Sequence, residues 1–189
     1  FLLAVSGAIA QFPIGKLSDI YDRRKVIVFS TFGAAVFSIL AILVSRQMYL
    51  PGSLATSKTW FYIFFILFSF CSLPMFSLIL AHTNDYISKE KFVAAGAGLQ
   101  FAFGLGAMSG PFLCSIFMDL VGSNGFFIFL FLFHSIIGVY GIHRMRVRQT
   151  VDNPDSQFVA MPQTITPAGI ELNPTTEPID EPIKEENKF

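Results

Sequence analysis

"GKLSDIYDRRK", Gly15 to Lys25, holds every Asp, Glu, Lys and Arg among the first 45 residues. On its amino side lies "FLLAVSGAIAQFPI", and on its carboxyl side "VIVFSTFGAAVFSILAILVS". An ionised side chain at the centre of a bilayer costs several kcal/mol, roughly 3 by insertion scales. Two membrane-crossing helices joined by a tight loop would gather their charge in this way. Arg23, Arg24 and Lys25 are accounted for by topology alone, but Gly15 and Asp19 are not. An acid near a helix end can accept hydrogen bonds from the unsatisfied N–H groups of the next helix, whose dipole favours it. A glycine allows another chain to approach closely.

Outward from this loop the chain stays apolar. Hydrophobic residues make up 53% of it, with 23 phenylalanines, more than the surface of a soluble domain of this length would tolerate. The predicted class is an all-α membrane protein. The formal net charge is zero, so nothing points to nucleic acid. Spanning helices need about 20 apolar residues. That criterion marks five segments, at about 1–14, 26–45, 60–81, 92–118 and 125–142. Membrane β-strands would be half as long and would alternate in polarity. All Asp and Glu residues fall outside the five segments. The opening run shows neither a basic flank nor a cleavage site, so it does not read as a signal peptide. It reads as the inner part of a spanning helix, and the chain as a fragment without its N-terminal portion.

Basic residues orient the bundle. Lys16, Arg23, Arg24, Lys25, Lys89, Lys91, Arg144, Arg146 and Arg148 lie at alternate connections, against Arg46 and Lys58 at the others. The richer side is expected to be cytoplasmic, with the C-terminus there and Trp60 at the outer interface. Residues 1–148 form the expected membrane domain. Residues 149–189 turn rich in Pro, Thr and acids, and are expected to be a disordered acidic cytoplasmic tail. Cys71 and Cys114 lie inside apolar runs and are expected to pack as free thiols.

The loop resembles the signature of the major facilitator superfamily, G-x-L-[AS]-D-x-x-[GD]-R-[RK]-[RK]. Gly15, Leu17, Asp19, Asp22, Arg23 and Arg24 carry the match. Ile20 stands where the pattern is often basic, and Asp22 where it often has glycine. A second element, "GLGAMSGPF", contains Gly106, Gly110 and Pro111 three helices later, as the superfamily's G-x-x-x-G-P element would. Small residues four apart also suit close helix packing, and a proline can kink a helix.

The resemblance implies five helices that correspond to helices eight to twelve of a twelve-helix fold. A charged tail after the last span favours this C-terminal half over an N-terminal one. It also implies a secondary transporter of small organic solutes, working by alternating access in a plasma membrane, by resemblance a bacterial inner membrane. Within the superfamily the chain looks most like poorly characterised bacterial members of the drug-efflux or sugar-porter-like type. The missing N-terminal half and the lipid bilayer are the expected partners, and no cofactor or metal is expected.

In that frame the loop is a conformational latch. Asp19 is expected to engage the next helix's N-terminus and Arg23 or Arg24. Pro74 is expected to bend a gating helix, alongside packing at Gly106, Gly110 and Pro111. The third segment would line the cavity with Tyr62, Phe65, Ser69, Ser72 and Phe76, which share a helical spacing. An aromatic face with two hydroxyls suits an amphipathic solute. His134 is the histidine well inside a span and is read as interhelical glue, as are Gln11 and Gln100. An intramembrane enzyme would need a nucleophile with its base, or metal ligands, at membrane depth. No G-x-S-x-G or H-E-x-x-H occurs in the chain. A non-transporting scaffold or sensor of the same fold is the alternative.

Overall fold

The computed structural model describes residues 1–47, 54–88, 91–147 and 158–161. Among them the elements are helical: α1 (Leu2–Ile20), α2 (Arg23–Gln47), α3 (Leu54–Ser72), α4 (Met75–Asn84), α5 (Phe92–Val121) and α6 (Gly125–Val147). A 3-10 turn, Gly122–Asn124, joins the last two. Without water at hand, an apolar backbone must bond within its own segment, which selects helices. Three stretches are long and apolar enough to cross a membrane: Arg23–Arg46, Thr56–Asn84 and Phe92–Val147. The second contains α3 and α4, and the third contains α5, the turn and α6. Most of the expected tail, 149–189, lies outside the described residues.

The two prolines of the expected gating elements behave differently. Pro74 lacks the N–H that would continue α3, so the helix stops at Ser72 and α4 restarts at Met75. Pro111 sits inside α5, which runs through it from Phe92 to Val121 without a break. Gly122 closes α5 at φ 77°, a left-handed value that glycine takes without a Cβ penalty.

α2 is the centre of the bundle, packed most extensively on α3 and α6, with α1 on α3 and α5 on α6. Beyond Arg23 and Val26 near its start, its buried side chains are Ser30, Thr31, Ala34, Ala35, Ser38 and Ala41. Such a stripe of small residues at three- and four-residue steps lets neighbouring helices approach closely. The hydroxyls of Thr31 and Ser38 bond back to carbonyls one turn earlier, so neither is left unsatisfied. The glycines of α5 are different. A Cβ on Gly98, Gly104, Gly106 or Gly110 would meet nothing within 4 Å.

Cross-helix bonds set the directions. Ser6 Oγ donates to the Ile66 carbonyl (2.9 Å), and Ser69 Oγ to the Leu3 carbonyl (2.7 Å), so α1 and α3 are antiparallel. Ser45 near the end of α2 donates to Asn124 Oδ1 just before α6 (2.8 Å), while Gly141 near the end of α6 faces Val28. The ends of α1 and α6 and the start of α2 therefore share one end of the bundle. A core of Ala10, Ile14, Val26, Met75 and Leu78 lies near it, with Phe158 packed against that core.

Candidate functional site: the charged junction of three helix ends

The site begins with how α1 stops and α2 starts. Tyr21 takes extended backbone angles (φ −110°, ψ 161°) and returns its N–H to the Leu17 carbonyl. Asp22 then starts the next helix. Its carbonyl accepts the N–H groups of Lys25 (2.8 Å) and Val26 (3.2 Å). Its carboxylate accepts the Arg24 N–H at 3.0 Å, the geometry of an N-cap. Arg24 also folds back on Asp22 through Nε (3.2 Å) and Nη2 (3.0 Å). Burial alone would push the Asp22 carboxyl up. The hydrogen bonds from Arg24, with the charges of Arg24 and Lys25, outweigh it and hold the carboxyl below its usual value. Asp22, one of the two positions that depart from the resembled pattern, is thus the cap of α2, a task expected of Asp19 from the sequence.

Asp19 faces a different partner. Arg23 Nη2 reaches Asp19 Oδ1 at 3.2 Å, and Arg23 Nη1 reaches Asp85 Oδ1 at 3.4 Å. Arg23 is 7% exposed. A guanidinium that far from water needs compensating charge, and two carboxylates supply it. Asp19 ends α1, Arg23 begins α2 and Asp85 follows α4, so one side chain ties three helix ends. In the sequence, Asp85 is one of the acids outside the five apolar segments, with nothing to single it out. Its position beside the loop depends on tertiary packing, and no local pattern announces it.

Gly15 faces Phe158, whose ring occupies the space a Cβ would take. The Phe158 N–H donates to Asp19 Oδ1 at 2.8 Å. A cavity of about 510 Å³ lies beside α1, lined by Ala8, Gln11, Phe12, Lys16 and Asp19 of α1 and by Phe158 and Ala160. Leu17 is partly exposed and contributes its carbonyl to the end of α1.

The five expected cavity residues are dispersed, and none of them lines this cavity. Tyr62 is exposed. Phe65 stacks edge-on with Phe126 and Phe127 of α6. Ser69 is bonded to α1, and Ser72 Oγ lies 3.0 Å from His134 Nε2. Phe76, beyond the break at Pro74, meets Phe103 of α5. His134 Nδ1 donates to the Leu130 carbonyl (2.8 Å), which leaves Nε2 to accept from Ser72. The serine and histidine join two helices here, and the second ring nitrogen has a carbonyl where a catalytic pair would have a carboxylate. Gln100 Oε1 has no hydrogen-bond partner among the described residues. Among the described residues no group of three His, Cys, Asp or Glu side chains is placed to hold a metal.

A family model described as Major Facilitator Superfamily matches residues 1–176. An uncharacterised MFS-type transporter of Yersinia enterocolitica is 26% identical over 160 residues, which is 85% of this chain and 37% of that protein. Uncharacterised MFS-type transporters of Yersinia pestis and Yersinia pseudotuberculosis are 24% identical over the same shares. This chain therefore spans little more than a third of the length of these relatives. No solved structure matches significantly. With its signature loop folded into a charged junction and its long apolar helices, the chain is an integral membrane protein and belongs to the major facilitator superfamily.

Proposed function

We propose that this chain is the C-terminal half of a secondary active transporter that moves small organic solutes by alternating access. The Asp19–Arg23–Asp85 junction is the observation that carries the proposal. Rocking one bundle against another requires contacts that hold in one state and break in the other. A buried arginine between two acids, at the meeting point of three helix ends, is suited to that task. The loop motif would be the latch, with Gly15 and Asp19 as its contact points and Arg23 as its bolt.

The junction would face the cytoplasm. Lys16, Arg23, Arg24, Lys25, Arg144 and Arg146 gather toward the end of the bundle that it occupies, which supports this orientation by the positive-inside rule. The remaining half of the same protein would cover α5, where Phe101, Leu105, Met108 and Phe112 are exposed and the glycines have open space beside them. Of the five aromatic and hydroxyl positions, Tyr62 would be the one open to solute, because Ser69 and Ser72 already join helices. A bacterial inner membrane would be the site of action.

Reconstitution of the full-length protein into vesicles tests this. Flux of at least one amphipathic organic solute, changed by an imposed proton gradient, is expected. Absence of flux across a broad solute panel would favour a scaffold with the same fold.

A further inference from the structure

The residues 158–161 sit in a groove that α1 and α4 build for them. Four independent contacts hold them. The Phe158 ring fills the notch left by Gly15 and packs on the core around Ala10, Ile14 and Leu78. The Phe158 N–H is bonded to Asp19. Met161 is 5% exposed. Ser77 of α4 donates to the Met161 carbonyl (2.9 Å) and accepts the Met161 N–H (3.1 Å), as an adjacent strand would. Ser77 itself is 1% exposed. In a run rich in polar residues and proline, "FVAM" is a short apolar island that ends at Pro162. The ten residues between Val147 and Phe158 can reach roughly 35 Å when extended, ample to return from the end of α6 across the bundle.

We infer that residues 158–161 are a built-in peptide ligand of the loop motif, bound only while α1 and α4 keep their present spacing. The groove needs both helices, since Gly15 and Asp19 belong to one and Ser77 to the other. Any motion that separates them divides the Phe158 notch from the Met161 clamp. By linkage, the bound segment stabilises the closed junction, and its removal shifts the population toward the open one. Asp19 is the shared atom of the device, because its Oδ1 holds both Arg23 and the Phe158 N–H.

The test is amide hydrogen exchange on the full chain in nanodiscs. In the unaltered protein the amides of Phe158 and Met161 should exchange at least about tenfold more slowly than an unprotected chain, as two hydrogen bonds and a buried ring require. In the double variant Phe158→Ser with Met161→Ser, that protection should vanish, and amides near the end of α1 and the start of α2 should exchange faster. The groove variant Ser77→Ala should release Met161 with the helices intact. Exchange of residues 158–161 at the unprotected rate in the unaltered chain would overturn the inference. So would a double variant whose α1 and α2 amides behave as before. Any effect on solute flux rests on the transporter proposal, whereas the exchange pattern does not. Intact protection without flux would therefore count against transport alone.

Discussion

Arg23 carries its charge in a place where water barely reaches, and the surrounding acids decide what it costs. Asp85→Ala would leave the guanidinium with one fewer partner, and a loss of about 3 kcal/mol is expected, read by denaturant unfolding in detergent. Adding Arg23→Met should recover much of that loss, since a well-packed apolar side chain needs no counter-charge. Asp22→Ala removes the cap of α2 and should cost about 1 kcal/mol in the same measurement. The pH dependence of Asp22 has a definite sign. Its carboxyl is depressed in the folded chain, against 3.8 when unperturbed. The stability it adds is fully present above that unperturbed value. It is lost as pH falls from there through the lower folded value. A titration of unfolding should show no Asp22 contribution to the slope across about pH 5 to 8 and a decline below about pH 4 that Asp22→Asn abolishes. The contact between Asp19 and Arg23 was legible from the spacing of the loop. The division of tasks between Asp19 and Asp22 was not. Two acids three residues apart look equivalent until Tyr21 turns the chain and aims one at the N-terminus of α2.

Helices were legible at the scale of elements because bilayer-length apolar runs have no other stable form. The break at Pro74 was also legible, since a missing N–H is local chemistry. The packing surface was not. The glycines of α5 drew notice through their regular spacing, yet the stripe that packs within this chain is Ser30, Thr31, Ala34, Ala35, Ser38 and Ala41 of α2. Which small-residue stripe is buried depends on which helix lies at the centre, and that is a property of the assembly. Ser72 and His134 join α3 to α6 through one hydrogen bond, supported by the edge-on contact of His134 with Phe68. His134→Phe keeps a ring there and should cost about 0.6 kcal/mol. As glue, the histidine should leave the pH profile of solute flux unchanged in that variant. A profile that loses its pH dependence would make it a proton carrier.

At the scale of the whole molecule, this chain presents an uncovered helix. α5 leaves Phe101, Leu105, Met108 and Phe112 open, 53–79% exposed, and the curated relatives are far longer than this chain. A cysteine placed at Met108 in a background with Cys71→Ser and Cys114→Ala should react with a maleimide more slowly in the full-length protein than in this chain alone. Equal rates would mean that the rest of the protein does not cover α5. Under the proposed function, the charged junction would be a latch whose contacts are made and broken during transport. Solute flux by the full-length protein with Asp19→Asn, normalised to the amount inserted in the membrane, tests it most directly. Normal insertion with flux reduced about tenfold or more is expected, as for a loss of about 1.4 kcal/mol in one state of the cycle. Normal insertion with flux equal to that of the unaltered protein would contradict it.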